Sequence, residues 1–430
     1  MPPHQYTAFT PARQMFIVLI VTAAGFFSPL TGAVYLPSLI LFEKIFKTSS
    51  VVINASVSVY WAVFGIAPMF GATLSDYGGR KTIYVASLAV FLVSNALLAA
   101  IPPTVGGLFT LRVFQALGSS MVTSIGAGTV ADVTEPAKRA SRLGLFLLGP
   151  QLGPLLGPLI GGQFSHESTW RWIFGFLYGS VYANQSWLVT PHLRQKQVVE
   201  DGKYPKPPKP TPAGLFRVLL FVPNCVVSIS SALNFAGLSG MYIVFPKVWQ
   251  TMYGFSGSET GYAYLAPGVV LTIASFGIGR IADVIYRRYK AKNDGRSPPP
   301  EKRLDMLFYA YIITALGKAM FGWFVARHYH ASAGLVAAAI CTGMIMVLST
   351  SYQTECMPTS AASLVALSGM LRNIGAAIAA AIMDAILNAM GYGWCFTGLA
   401  VLDLACISGL LFIRARGYVY REQMSAKMQP

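Results

Sequence analysis

Apolar stretches alternate with short polar segments along the whole chain, and most reach the roughly 20 residues that a helix needs to cross a bilayer. The sixth stretch is interrupted by the polar Asn184-Gln185-Ser186. The pattern predicts an all-α polytopic membrane protein with twelve transmembrane helices. These spans, numbered one to twelve, are predicted at residues 13–41, 51–74, 83–100, 107–132, 143–164, 172–190, 219–245, 261–284, 304–326, 332–352, 359–390 and 395–413.

Span five contains three Gly-Pro steps spaced four residues apart, beginning at Gly149, Gly153 and Gly157. Each proline removes an intrahelical hydrogen bond and costs about 3 kcal/mol in an ordinary helix interior. The run therefore makes sense where neighbouring helices satisfy the backbone inside a membrane. Glycines 149, 153, 157 and 161 share nearly one helix face, which predicts a close approach by the backbone of another helix.

The formal net charge of +16 would favour nucleic-acid binding in a soluble protein. The placement of the charges favours a different explanation. With the N-terminus inside, the outer segments hold only five basic residues, Lys44, Lys47, Arg171, Lys247 and Arg327. This is the positive-inside bias of a twelve-span protein with both termini in the cytoplasm. Nucleic acid is not an expected partner, whereas the inner basic runs are expected to contact anionic lipid.

Composition excludes most other classes of function. With 54% hydrophobic and 11% charged residues, the chain is too apolar for a soluble enzyme of 430 residues. Its five cysteines lack the spacing of a disulfide framework or a metal site. No ATP-binding loop, no metal-ligand spacing and no Ser-His-Asp set is found. The sequence thus predicts no enzyme, cofactor or metal, and an ion gradient has to supply the energy for any active transport.

A charged, proline-rich stretch at residues 194–217 divides the chain into an N-terminal bundle, 1–193, and a C-terminal bundle, 218–430, with a short cytoplasmic tail. Local features recur in the two halves, which predicts two pseudo-symmetric six-helix bundles. Asp76 at the end of span two is followed by Arg80, and Asp283 at the end of span eight is followed by Arg287. The inner ends of spans four and ten then supply a second acid each, Asp132 and Glu355.

Three motifs resemble those of the major facilitator superfamily, and the resemblance extends over essentially the whole chain. Residues 74–81 look like the first signature of the family, and residues 112–118 are similar to the second. The glycines and proline of span five match its antiporter motif, which exporters carry: Gly153, Gly157, Pro158, Gly161 and Gly162. Residues 28–37 and 170–174 resemble the fungal twelve-span drug:proton antiporter group, nearest its quinidine-resistance, polyamine and dityrosine exporters.

The chain departs from the family pattern at several positions. Ala72 stands where the first signature has a glycine, which could alter how tightly spans two and eleven meet. After span six, the residues Pro191-His192-Leu193-Arg194 replace the Pro-Glu-Thr-Leu-Arg of relatives. Glu355 and Ser368 are milder differences. The sixth helix is therefore either divergent or locally unusual.

The resemblance implies a conformational gate on the inner side, because alternating access needs charge pairs that break and re-form. The alternative is that these are solvated loop charges that only set the topology. The implied gate residues are Asp76, Gly79, Arg80 and Asp132 in one half and Asp283, Arg287 and Glu355 in the other.

Two arginines within spans are the best candidates for a substrate and proton cavity, since a charge in a span usually faces water or a partner. Arg112 has Gln115 one turn along, and Arg372 has Asn373 beside it. The alternative for Arg112 is an arginine that extends to the outer interface. Polar and aromatic residues complete the candidate lining, unless they are interfacial anchors or packing residues: Tyr35, Tyr60, Trp61, Asn234, Tyr242 and Tyr352.

Two further charges lie near the membrane middle, Lys318 in span nine and Asp403 in span twelve. In the fold that the resemblance implies, both helices are outer supports. We therefore predict that Lys318 and Asp403 form a structural ion pair within the second half and not a proton relay.

The function that these features favour is proton-coupled efflux of a small organic molecule, such as a drug, a secondary metabolite or an organic acid. Spans one, two, five and seven contain no central acid, so the expected cargo is neutral or anionic and not a polyamine. The alternatives are a nutrient uptake symporter and a transport-inactive receptor. The protein is expected to act as a monomer in the plasma membrane.

Overall fold

The computed structural model describes residues 10–78, 80–100, 102–134, 136–184, 221–293, 299–330, 332–356 and 361–428. Within these ranges the ordered elements are helices, and none is a strand. Each of the twelve predicted spans overlaps a helix, and the predicted all-α polytopic fold is confirmed. Nine helical segments of the described chain are long and apolar enough to cross a membrane.

The first five spans are helical over slightly different ranges from those predicted, and the predicted residues 185–190 of span six lie outside the described residues. Span one bends after its first helix and continues through a 3-10 turn into a second, short helix. The observed helices are Pro11–Ala33, Leu36–Ser38 (3-10) and Leu39–Ile45 for span one, then Ser50–Gly78, Arg80–Ala100, Val105–Val133, Pro136–Gln163 and Arg171–Asn184 for spans two to six.

The remaining spans follow the same plan. Span eight consists of two helices, and spans eleven and twelve form one helical segment with a break at Gly391. The helices are Val222–Thr251 for span seven, Gly257–Ala263 and Leu265–Lys292 for span eight, Arg303–Ala326 for span nine, Ser332–Cys356 for span ten and Ala361–Met428 for spans eleven and twelve. Gly391 has φ 72°, a backbone conformation that glycine adopts without a steric penalty.

Several helices extend beyond the apolar stretch that predicted them. The prediction that Asp283 lies at the end of the span-eight helix is wrong, because that helix continues to Lys292. Span five begins at Pro136, a residue that suits the first turn of a helix. The last helix continues to Met428. Apolar composition marks only the part of a helix that contacts lipid or protein core, so it does not register turns that extend into water.

The chain divides into two compact units. One contains the described residues of Met1–Pro210 together with Phe255–Leu265, and the other contains those of Thr211–Gly254 and Ala266–Pro430. The short helix Gly257–Ala263 therefore belongs to the first unit, where Ser258 Oγ donates a hydrogen bond to the carbonyl of Gly162 at 3.2 Å. The whole of the predicted linker, 194–217, lies outside the described residues, and the predicted domain boundaries stay predictions.

In the first unit, the glycine face of span five packs directly against the backbone of span one. A methyl group placed on Gly149 would lie 2.2 Å from the carbonyl oxygen of Thr22, and one on Gly161 would lie 1.9 Å from that of Val34. At Gly153 the nearest atom would be the backbone nitrogen of Leu30, at 2.7 Å. The predicted close approach of another helix backbone is confirmed, and its partner is span one.

In the second unit, the predicted pairing of the two mid-membrane charges is confirmed. Lys318 Nζ lies 2.6 Å from Asp403 Oδ2, and both side chains are fully buried. The amide nitrogen of Asn234 donates to the other carboxylate oxygen of Asp403 at 3.2 Å. The ion pair thereby joins spans nine and twelve to span seven.

Replacing Gly161 by alanine should destabilise the first unit, because the added methyl group meets a backbone carbonyl that cannot rotate away. Overpacking of this kind costs about 1–3 kcal/mol. We expect Gly161→Ala to lower the thermal unfolding temperature measured in detergent. Gly179→Ala is the matched control, since a methyl group there meets no atom within 4 Å. Equal unfolding temperatures for the two variants would contradict the packing argument.

Removing one member of the Lys318–Asp403 pair should be much more damaging than removing both. Lys318→Met or Asp403→Leu leaves an uncompensated buried charge, which costs about 3–5 kcal/mol. The double variant leaves no charge, so we expect its yield of folded protein and its unfolding temperature to return close to those of the wild type. A double variant no more stable than the single variants would rule out the pairing as the source of stability.

Candidate functional site

The guanidinium group of Arg112 lies between two tyrosine rings in the first unit. Its Cζ atom is 4.3 Å from the ring centroid of Tyr35 in span one and 4.4 Å from that of Tyr60 in span two. All three side chains are fully buried. A cation over an aromatic face is attracted by the ring quadrupole, and the attraction grows when water is excluded. We call Arg112, Tyr35 and Tyr60 the arginine cage.

A chain of amide groups holds the cage from the side of span three. Arg112 Nη1 donates to Gln115 Oε1 at 2.8 Å, and Gln115 Nε2 donates to Asn95 Oδ1 at 2.8 Å. Asn95 Nδ2 in turn donates to the carbonyl of Phe91 at 2.8 Å. Gln115 is oriented at both ends, so it presents its oxygen to the arginine. The only sequence signal for Asn95 is a single asparagine in an otherwise apolar span.

The tyrosine hydroxyls are also bonded, which fixes the two rings in place. The Tyr35 and Ser56 oxygens lie 3.0 Å apart. Tyr60 donates to the carbonyl of Ser28 at 3.1 Å, and its oxygen lies 3.0 Å from Ser119 Oγ. The cage is therefore a preformed arrangement contributed by spans one, two, three and four.

The charge of Arg112 is not balanced by a carboxylate in the described part of the chain. Its Nη1 is bonded to an amide, while Nε and Nη2 have no hydrogen-bond partner among the described residues. Burying a cation without an opposite charge is costly, and aromatic faces offset only part of that cost. These two nitrogens lie on one edge of the guanidinium, and their N–H groups match an anion such as a carboxylate.

A second buried guanidinium lies in the other unit. Nη1 of Arg372 in span eleven is sealed from solvent and has no hydrogen-bond partner within the described ranges. Asn373 follows it in the same helix and is partly buried. Arg112 in the first unit and Arg372 in the second are thus arginines in spans with atoms that have no described hydrogen-bond partner.

The structure places the other candidate lining residues in different surroundings. Trp61 packs edge-on against Tyr60, with ring centroids 5.8 Å apart, next to the cage. Asn234 contacts the Lys318–Asp403 pair. Tyr352 lies in the apolar core of the second unit, and Tyr242 of span seven lies in the same unit. Their roles in a cavity stay predictions.

Most of the predicted gate lies outside the described residues: Gly79 and the side chains of Asp76, Arg80, Asp132, Asp283 and Arg287. Glu355 is described, and it forms a two-pronged ion pair with Arg303 at the start of span nine. Arg303 Nε donates to Glu355 Oε2 at 2.8 Å, and Nη2 contacts Oε1. The sequence reasoning missed Arg303, whose signal is its position at the predicted inner end of the neighbouring span.

Comparisons with known proteins agree with this architecture. The family model described as Major Facilitator Superfamily matches residues 21–380. The chain is 34% identical to Dityrosine transporter 1 of Saccharomyces cerevisiae, covering 98% of this chain and 82% of that protein. It is 33% identical to Multidrug transporter DTR1 of Candida glabrata, covering 95% and 85% respectively. The predicted resemblance to the fungal drug:proton antiporter group is confirmed.

A solved structure supports the fold alone. A bacterial homologue of the human lysosomal transporter Spinster matches with a TM-score of 0.69 over 96% of this chain and 98% of that chain, at 15% sequence identity. At that identity the likeness carries no information about cargo.

The absence of a described counter-charge makes Arg112 differ from Lys318 in its effect on stability. Arg112→Met removes a buried cation and leaves only the amide oxygen of Gln115 without its partner, so we expect the free energy of unfolding to fall by no more than about 1–3 kcal/mol. Lys318→Met strands Asp403 and should cost about 3–5 kcal/mol. Thermal unfolding of the two purified variants in the same detergent compares them directly. An equally large loss for Arg112→Met would indicate that Arg112 is a structural charge and not a binding group.

Proposed function

We propose that this chain, which belongs to the Major Facilitator Superfamily, is a proton-coupled exporter of a small organic molecule. It is an integral, multi-pass membrane transporter and not an enzyme. Export is supported by the span-five glycines, which match the antiporter motif, and by similarity to multidrug and dityrosine transporters. An ion gradient is the proposed energy source because the sequence contains no nucleotide-binding loop, and protons are the proposed coupling ion because the family resemblance suggests them.

The observation that carries the proposal for the cargo is the arginine cage. It combines a cation that has two nitrogens without a described partner with two flat aromatic surfaces. Such a site favours a molecule that has a carboxylate beside an aromatic or apolar body. A polyamine would meet a like charge there, and spans one, two, five and seven offer no central acid to replace its lost hydration.

The proposed mechanism is alternating access between two packings of the halves. Two states that interconvert have to differ in free energy by only a few kcal/mol. Charge pairs that break on one side and re-form can meet this requirement. The proposed latch residues are Asp76, Gly79, Arg80, Asp132, Asp283, Arg287 and Glu355. Arg112 keeps its proton at physiological pH, so in this scheme it binds or orients the cargo and a different group carries the coupled proton.

The proposal also covers the oligomeric state, the membrane and the residues along the cargo path. The protein is proposed to act as a monomer in the plasma membrane, surrounded by lipid, with both termini in the cytoplasm. Arg372, Asn373, Trp61, Tyr242 and Tyr352 are proposed to line the cargo path. The glycines of span five let its backbone pack closely against span one. The proposed exporter depends on this helix contact when it changes between its two conformations.

Proteoliposomes test coupling and direction together. Vesicles that contain the full chain are loaded with dityrosine at neutral pH and diluted into acidic or neutral buffer. An antiporter exchanges cargo for protons, so we expect external acid to accelerate dityrosine efflux at least severalfold, and a protonophore to abolish the acceleration. Efflux that slows in external acid would indicate a symporter, and efflux equal to that of empty-lipid controls would indicate an inactive protein.

Matched probes test the cargo class in the same vesicles. Citrate tests for an anion without an aromatic ring, and spermidine tests for a multiply charged cation. We expect saturable efflux of dityrosine and none of spermidine, and we expect Arg112→Met to abolish efflux while the protein stays folded. Saturable spermidine efflux would overturn the proposed cargo class even if coupling to protons is found.

A further inference from the structure

Asn234, near the middle of span seven, is held twice by the Lys318–Asp403 pair. Its side-chain amide donates to Asp403 Oδ1 at 3.2 Å, and its main-chain carbonyl accepts a hydrogen bond from Lys318 Nζ at 3.2 Å. The two charges therefore bond to each other and also to both the backbone and the side chain of a residue on a third helix. A pair that served only to neutralise two charges would not need the additional bonds.

Gly237 makes the bond from the lysine to the backbone possible. It follows Asn234 by one turn, and a methyl group placed on it would lie 2.4 Å from Lys318 Nζ and 2.7 Å from Lys318 Cε. The lysine side chain thus crosses span seven over the bare backbone of this glycine. Any larger side chain at position 237 would displace the ammonium group from the carbonyl of Asn234.

The pair is sealed from water. Lys318 and Asn234 have no exposed surface, and Asp403 is 1% exposed. Tyr311, one to two turns before Lys318, and Cys406, one turn after Asp403, belong to the apolar core of the second unit. The ionic contact and the two hydrogen bonds to Asn234 are therefore formed by side chains that are shielded from solvent.

Span seven is held at a second level by a closed ring of hydrogen bonds. Ser228 and Ser368 oxygens lie 2.9 Å apart, Ser368 Oγ donates to Gln353 at 2.8 Å, and Gln353 donates to Ser228 Oγ at 2.7 Å. Ser228 precedes Asn234 by six residues, or about 9 Å along a helix. The ring fixes span seven to spans ten and eleven, whereas the ion pair fixes it to spans nine and twelve.

Energetics favours a role in specificity over a role in stability. Replacing a buried ion pair by packed apolar residues is often neutral or stabilising, so two buried charges are poorly explained by stability alone. Buried polar groups that fix helix register are the best-attested use of such pairs. Hydrogen bonds to one main-chain carbonyl and one side-chain amide define both the rotation and the height of span seven, which apolar contacts do not.

We propose that Lys318 and Asp403 are positioning residues for transport and act through Asn234. The clasp, meaning Lys318, Asp403 and Asn234 with Gly237 beneath the lysine, holds span seven to spans nine and twelve, so that the three helices move as one body. This inference rests on the chain being a transporter. Its test uses a distance measurement and a transport measurement, and only the transport measurement uses dityrosine, the cargo of the proposed function.

The test separates the ion pair from its bonds to Asn234. Asn234→Leu removes the side-chain bond, Gly237→Ala displaces the lysine from the backbone, and Lys318→Met with Asp403→Leu removes both charges. Gly398→Ala in span twelve is the matched control for Gly237→Ala, because a methyl group there meets no atom within 4 Å. Each full-length variant is reconstituted in proteoliposomes after its unfolding temperature has been measured.

Two readouts are compared at equal amounts of folded protein. Nitroxide labels on unnatural residues at positions 229 and 316, both exposed, report the distance between spans seven and nine. We expect one narrow distance distribution for the wild type and Gly398→Ala, and a broadened one for the clasp variants. We also expect the KM for dityrosine efflux to rise at least fivefold in the clasp variants, because span seven no longer holds its binding position.

Each outcome decides the inference. If Gly237→Ala and the charge-free double variant match Gly398→Ala in both distance and KM, the pair is a passive structural bridge and the clasp is wrong. If the wild type moves no dityrosine, the proposed cargo fails and the distance arm alone decides the clasp. If the clasp variants broaden the distance distribution but leave the KM unchanged, the clasp holds span seven without affecting transport, and the positioning role is overturned.

Discussion

The hydrocarbon core of a bilayer offers no water, so a charged side chain in a transmembrane helix has to find its partners within the protein. This constraint organises the buried polar residues of both units. Lys318 satisfies it with the carboxylate of Asp403 and the main-chain carbonyl of Asn234, and the side-chain amide of Asn234 bonds to that carboxylate. Arg112 satisfies it with two aromatic faces and one amide oxygen, and two of its nitrogens stay without a described partner. The first arrangement pairs two opposite charges, whereas the second holds a cation without an opposite charge in the described part of the chain.

The sequence predicts the features that depend on one helix at a time. Apolar length predicts twelve spans, each of which overlaps a described helix, glycine spacing identifies the closely packed face of span five, and counting residues from the helix ends places Lys318 and Asp403 at similar depths. Features that depend on the rotation of a second helix escape it. The contacts of Asn95 and Arg303, and the bonds of Asn234 to Lys318 and Asp403, can be predicted only if it is known which helix faces meet. A single sequence records only which faces are apolar. Helix ends beyond the membrane, such as Lys292, also escape it, because hydropathy does not distinguish a solvated helix from a loop.

The repeat seen in the loop motifs does not extend to the buried polar residues. Spans four and ten occupy equivalent places in the two halves of the sequence, yet span four carries the cage arginine and span ten carries Gln353 in a neutral ring. The second unit places its balanced charges on spans nine and twelve instead. Two halves that share a fold therefore differ in the polar chemistry of their buried residues.

Rigidity and binding make opposite demands on the same helices. A transporter has to keep each moving body intact while the contacts between bodies change, so bonds inside a body should be saturated and binding groups should stay unsaturated until cargo arrives. The bonds of Asn234 to Lys318 and Asp403 and the hydrogen-bonded ring of Ser228, Gln353 and Ser368 are contacts within the second unit, and the glycine face of span five gives a backbone contact without polar side chains in the first. The cage is unsaturated, and its unpaired N–H groups raise the free energy of the empty site. A cargo carboxylate that pairs with them would lower the free energy of the occupied state selectively, which is the differential affinity that a ligand needs in order to shift a conformational equilibrium.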